Sequence, residues 1–341
     1  MLSSPHHAKQ LILLSLPLSF IAAIVFGAVS VDVFNDWKSF IEPQSTQTEI
    51  IITQIRLPRA LLAALVGAML AMSGAATQGL FRNPLADPSL IGVTAGASAG
   101  AAAMIFLVGQ TQWLYGARGL TLVSLGAFVG GAITVTLVYR LATSRQGTSV
   151  ATMLLAGIAV TAIAGGLTNL VEFFADSDML RRISLWRMGG LEGANGARVG
   201  FALIAALIVF ATLPRFSTAL NALLLGESEA RHLGISVQTT KLSIVLIVAL
   251  AVGASVALAG TIAFVGLIVP HIVRLLIGPN HRALLPYSAL GGATLLLLAD
   301  VLARTVISPI ELPVGLVTAF LGAPFFISLL RHRRSVWGNT Q

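Results

Sequence analysis

Ten apolar runs, each close to the length of a membrane span, follow one another along this chain. They lie near 11–31, 58–80, 89–109, 118–141, 149–173, 198–213, 241–260, 262–277, 283–303 and 313–330. A helix needs about 20 residues to cross the bilayer core, so a chain of this length with short loops holds roughly ten spans. Only 10% of the 341 residues are charged. A soluble domain carries about a quarter. The polar coat of a soluble fold cannot be built from that supply, so the solvent is largely lipid. Apolar-out, polar-in alternation does not recur as a membrane barrel requires, which leaves helices. The expected fold is an all-α polytopic membrane protein with about ten transmembrane helices, one domain over residues 1–341. The runs at 89–109 and 262–277 are short or broken by glycine, which is tolerated where neighbouring helices cover the backbone.

The first run follows Lys9. A cleaved signal peptide has an apolar core of about 7–15 residues and a small-x-small end. Residues 11–31 exceed that length, so a retained first helix is expected.

Other chemistry is limited. The chain has no cysteine, which removes disulfides and thiolate ligands or nucleophiles. His6, His7, His232, His271, His281 and His332 show no metal-ligand spacing, and no bound metal is expected. The net charge of +8 comes from basic residues that punctuate apolar runs. That pattern speaks for orientation in a membrane and against nucleic acid. With both termini in the cytoplasm, twelve of the 21 Lys and Arg fall inside: Lys9, Arg82, Arg140, Arg145, Arg215, Arg231, Lys241, Arg274, Arg282, Arg331, Arg333 and Arg334. The acids on that side are Asp87, Glu227 and Glu229. The remaining basic residues stand outside and need a reason.

An internal repeat is present. Val66-Gly67-Ala68, Ala71, Gly74, Pro84 and Leu90-Ile91-Gly92 recur as Val252-Gly253-Ala254, Ala257, Gly260, Pro270 and Leu276-Ile277-Gly278. The second copy starts five apolar runs after the first, so the two would face opposite ways across the membrane. Inverted repeats of this kind are typical of transporters.

Gly96-Ala97-Ser98-Ala99-Gly100 matches a nucleophile-elbow pattern, but it lies inside an apolar run as Gly92-x3-Gly96-x3-Gly100. That spacing lets helices approach closely, and no catalytic residue is expected. No GxxxxGK[ST] occurs, so the chain does not itself hold ATP.

The polar interval at 215–238 reads as two short helices, broken at Gly226 and closed at Gly234. It is either a solvated connector or an amphipathic element that enters a groove of a soluble partner. Arg56 and Arg59 open the second run and Arg304 ends the ninth. They either snorkel to the interface or form a rim of guanidinium groups for a partner's carboxylates. Arg181, Arg182 and Arg187 either add to a basic mouth or cap the loop after the fifth helix.

Several stretches resemble one permease family. They are Arg56-Leu57-Pro58-Arg59, Gly79 through Pro88, Gly226-Glu227 with Ala230-Arg231-His232-Leu233-Gly234, Gly266 through His271, Glu311 through Gly315, and Leu321-Gly322-Ala323-Pro324. In order, from about residue 50 to 330, they resemble the FecCD/BtuC-like permeases of ABC importers for iron-siderophores, haem and cobalamin. The resemblance implies a type II importer permease in the bacterial inner membrane. Two copies would work with two ATP-binding cassette subunits and a periplasmic substrate-binding protein, and ATP would be used by the partner subunits with no cofactor bound here. By the same resemblance, Arg56, Arg59 and Arg304 meet acids of the binding protein. Leu220, Leu224, Gly226, Glu227, Ala230, Arg231, His232, Leu233 and Gly234 couple to the ATPase. The fifth helix lines the passage, with Met153, Ala156, Gly157, Val160 and Ala164 as the expected lining.

Leu80 through Pro88 and Gly278-Pro279-Asn280-His281-Arg282 look most like the haem members, whereas cobalamin members carry an acid in place of Arg82. Haem is therefore the expected cargo, ahead of a ferric siderophore and cobalamin. His271 lies in a motif shared by importers of other cargoes, which assigns it to structure and not to axial ligation. Two other classes stay open. An intramembrane enzyme would need convergent ionisable groups at mid-depth. An ion-driven secondary transporter suits the inverted repeat but would work without an ATPase.

Overall fold

The computed structural model describes residues 5–29, 47–110, 117–145 and 147–338. Fourteen α-helices make up nearly all of it: α1 (Pro5–Val25), α2 (Gln47–Ile50), α3 (Leu57–Leu80), α4 (Val93–Gly109), α5 (Ala117–Ala142), α6 (Val150–Phe174), α7 (Ser177–Met188), α8 (Gly196–Thr212), α9 (Ser217–Leu225), α10 (Glu227–His232), α11 (Val237–Ala259), α12 (Val265–Ile277), α13 (His281–Thr305) and α14 (Val314–Gly338). Among the described residues, seven helical stretches are long and apolar enough to cross a membrane, and three shorter apolar helices (Val93–Gly109, Val265–Ile277 and Val314–Ser328) fall on the remaining expected runs. Lys38, one of the basic residues expected outside, lies beyond the described residues, as do the side chains of Arg118, Arg331, Arg333 and Arg334.

Four features depart from expectation. The first span, expected at 11–31, is α1 and runs earlier, from Pro5 to Val25. The second span starts earlier than residue 58, because a π-helical segment at Ile51–Arg56 joins α2 to α3 without a break. The loop expected after the fifth helix is instead α7, started by Asp176, whose carboxylate accepts the Met179 N–H at 2.8 Å. Between α5 and α6 the chain makes a small hairpin, β1 (Thr143–Ser144) against β2 (Gly147–Thr148), with Thr143 opposite Thr148.

Polar caps set the other boundaries. Ser149 starts α6, Asn195 starts α8 and Asn280 starts α13, each accepting a backbone N–H with its side-chain oxygen.

The repeat marks the centre of the core. Every residue of α3 from Val66 to Leu80 is buried, and so is every residue of α11 from Ala251 to Ala259. A helix apolar on all sides is stable only inside other protein or lipid, and here it is inside protein. Small residues allow the contact: a Cβ on Gly67 would lie 2.3 Å from the Gly292 carbonyl oxygen of α13, and one on Gly74 1.8 Å from that of Gly266. The Gly92/96/100 series does the same for α4 and α5, since a Cβ on Gly100 would lie 2.1 Å from the Gly126 oxygen. The two copies diverge beyond that core. Pro84 lies in the turn after α3, whereas Pro270 lies inside α12.

Candidate functional site

At one end of the bundle, residues far apart in sequence form a charged cluster. Arg56 sits in the π-helical segment, Arg59 in the first turn of α3, and Asp300 and Arg304 one turn apart in α13. Arg59 donates to Asp300 (Nε to Oδ1, 2.9 Å) and to Glu311 (Nη1 to Oε2, 2.6 Å). Arg304 Nε lies 3.1 Å from the other oxygen of Asp300. Asp300 is fully buried, and Arg56, Arg59 and Arg304 are 3%, 7% and 4% exposed.

Two of the arginines also close α1. Arg56 donates to the carbonyl oxygens of Ile24 at 2.8 Å, Val25 at 2.7 Å and Val29, while Arg304 donates to that of Ala23 at 3.0 Å. A helix leaves its last carbonyls unpaired and carries about half a negative charge there. Three guanidinium groups thus face two carboxylates and one helix C-terminus, which brings the cluster near neutrality. The structure brings Arg56, Arg59 and Arg304 together as expected, but corrects their exposure. They are not a rim open to solvent; each is occupied within the chain. Glu311 stands out in the sequence as part of a motif, but nothing in the sequence signals that it and Asp300 both turn toward Arg59.

The opposite end carries the polar interval. α9 and α10 meet at Gly226, whose φ of +129° is open chiefly to glycine, and Gly234 closes the pair at φ +81°. Leu220 and Ala230 are buried and anchor the segment, while Leu224, Leu225 and Leu233 are 43%, 69% and 62% exposed. Arg231 and His232 are also exposed. Asn221 pins α9 to α13: its Oδ1 accepts the His281 N–H at 2.9 Å, and its amide donates to Asn280 at 2.9 Å. Glu227 pairs with Lys241 at 2.7 Å and stands 3.6 Å from Arg231.

The fifth apolar helix, α6, has two faces. Met153, Gly157, Val160 and Ala164 are buried and Ala156 is half-buried, so the face expected to line a passage packs into the chain itself. The reason is steric: a Cβ on Gly157 would lie 2.0 Å from the Leu90 carbonyl oxygen. The open face carries Leu155, Ile158, Ile163, Leu167 and Leu170, all more than half exposed. Around Gly165 and Gly166 a Cβ would meet nothing within 4 Å. Nearby, a cleft of about 510 Å³ extends from Asp87 to Arg187, with Thr94, Ser98, Thr261 and Phe264 among its walls. His271 is buried, with its ring against Phe325.

Ten apolar helices around two buried helix stretches, with a polar helical segment at one end and a charge cluster at the other, are the architecture of a polytopic membrane protein. Residues 13–332 match the model of the FecCD transport family. The chain belongs to that family and is a permease of the ABC importer type.

Among curated relatives, the hemin transport system permease protein HmuU of Yersinia pestis is 44% identical over 284 residues, 82% of this chain and 83% of that protein. The cobalamin import system permease protein BtuC of Halobacterium salinarum is 43% identical over 291 residues, 85% and 75% of the two chains. The vitamin B12 import system permease protein BtuC of Salmonella paratyphi A is 43% identical over 296 residues, 87% and 86%. An inward-facing metal-chelate type ABC transporter matches with a TM-score of 0.83 and 33% identity, covering 95% of this chain and 98% of that one. PsaBC from Streptococcus pneumoniae, at 17% identity and a TM-score of 0.57 over 82% and 92%, shares the fold.

Proposed function

We propose that the chain is the permease of an ATP-driven importer for haem, working as two copies with two ATPase subunits and a periplasmic binding protein. It does no covalent chemistry itself. Both termini would lie in the cytoplasm, which puts α9–α10 on the ATPase side and the arginine cluster on the binding-protein side. The observation that carries the reading is the placement of these two features at opposite ends of one bundle whose relatives are importer permeases.

Docking would use Arg56, Arg59 and Arg304 by exchange: acids of the binding protein would compete with Glu311, which is 31% exposed, for Arg59. Exchanging one carboxylate for another keeps the guanidinium paired throughout, which limits the cost of uncovering it. Leu224, Leu225 and Leu233 would enter the ATPase groove. The open face of α6, with its unfilled space at Gly165 and Gly166, suits a second copy and a passage between the two. Alternating access would then open that passage to one side at a time. Haem is supported by the stretch around Arg82, which is exposed and offers a cation to a dicarboxylate cargo.

The test is uptake into proteoliposomes holding the permease, its ATPase and its binding protein, with haem, a ferric siderophore and cobalamin as separate cargoes. ATP-dependent entry of haem alone is expected, and Arg82→Glu should reduce it. Entry of another cargo would move the substrate assignment, and entry without ATP would favour a secondary transporter.

A further inference from the structure

Lys241 is a buried cation that the resemblance assigns no role. It lies in the second turn of α11, and its side chain is 2% exposed. Its ammonium donates to the carbonyl oxygen of Thr148 at 2.8 Å and pairs with Glu227 Oε1 at 2.7 Å. Those partners belong to different devices. Glu227 opens α10, within the segment assigned to ATPase coupling. Thr148 ends the β1–β2 hairpin and directly precedes Ser149, the N-cap of α6.

A parallel contact tightens the grip. Gln238, one turn earlier on α11, accepts the Thr148 N–H at 2.8 Å, so α11 holds both the N–H and the carbonyl of that residue. Gly147 makes this approach possible, since a Cβ there would lie 2.3 Å from Gln238 Nε2.

A desolvated ammonium has three donors and needs partners for them. A displacement of α10 must therefore do one of two things. Either it strips Lys241 of its counter-charge in a dry site, or it carries Lys241 and Thr148 along. Because Thr148 adjoins the first residue of α6, the second course moves the start of that helix.

We propose that Lys241 is the joint that passes displacement of the coupling segment to α6, through Glu227 on one side and the Thr148 carbonyl on the other. It is a positioning residue, and its role rests on the importer reading above. The absence of cysteine allows a clean probe: Thr152→Cys, at an exposed position in the first turn of α6.

The rate at which a maleimide labels that cysteine is measured with and without ATP, in liposomes containing permease, ATPase and binding protein. ATP should change the rate in the otherwise unaltered chain. With Lys241→Met, ATP hydrolysis should continue while the ATP-dependent change shrinks at least about fivefold, the lower range of coupling between sites. An unchanged labelling response, or a response and hydrolysis that fall in proportion, overturns the joint. If Lys241→Met fails to assemble, Lys241→Gln, which can still donate to the Thr148 carbonyl but has lost the charge that pairs with Glu227, decides by the same ratio: a smaller response at undiminished hydrolysis supports the joint, and an unchanged response overturns it. If the unaltered chain bearing Thr152→Cys ignores ATP, the importer reading itself has failed.

Discussion

The two ends of the molecule solve the problem of buried charge differently. At the end that holds Arg59, five charged side chains share one site, and Asp300 alone touches two of the arginines. Every partner there sits on or beside a long helix of the core, α1, α3 or α13. At the other end a single ammonium joins a surface helix, a hairpin and α11. The first arrangement is cross-braced, and losing its centre leaves several groups uncompensated. The second has little redundancy, and losing one contact separates two elements without exposing the core. Rigidity suits a platform on which a partner settles. A sparse joint suits a part that moves.

Substitutions can sharpen that contrast, beginning with the centre of the braced cluster. Asp300→Ala leaves Arg59 and Arg304 without their common buried counter-charge. Removing one partner of a buried pair costs about 3–5 kcal/mol. The expected result is a large drop in thermal stability in detergent and loss of monodisperse protein. Native-like melting of this variant would show that the cluster is not braced through Asp300.

Glu311→Gln should do much less. Its carboxylate is 31% exposed, and Arg59 keeps Asp300, so a cost of about 1 kcal/mol or less is expected. If docking proceeds by exchange at Arg59, the same variant should bind the partner protein more tightly, because a competing carboxylate is gone; titration of the binding protein reads this out.

Arg231→Ala, at the sparse end, should have the smallest effect on stability. Its pairing with Glu227 is long at 3.6 Å and exposed, and such i,i+4 pairs contribute about 0.3–0.5 kcal/mol. A melting shift as large as that of Asp300→Ala would erase the distinction between the two ends.

Much of the fold was legible before any coordinates. Apolar run length placed eight of the ten apolar helices within a few residues, because in lipid the backbone must satisfy itself and span length follows bilayer thickness. The break at Gly226 was legible because few other residues accept that backbone conformation. α7 was missed because its arginines and acids, at i and i+4, look like a polar loop until Asp176 is seen to cap it. Of the candidate sites, the arginines were legible as outliers, since a charge at the end of an apolar run demands an explanation. Which face of α6 stays open was not, because Met153 and Ile158 are equally apolar and only packing against α4, α5 and the turn at Leu90 separates the inner face from the outer.

The sequence by itself determined the solvent, the number of spans, the glycine-lined contacts and the segment that leaves the membrane. Each follows from local composition acting against lipid or from the geometry of a single backbone position. Only the tertiary structure decided what the charges do. Arg59 and Asp300 are 241 residues apart, and Lys241 and Thr148 are 93 apart. A buried charge is compensated by whatever the packed helices bring within hydrogen-bond reach, and that partner has no signature in the residues beside it.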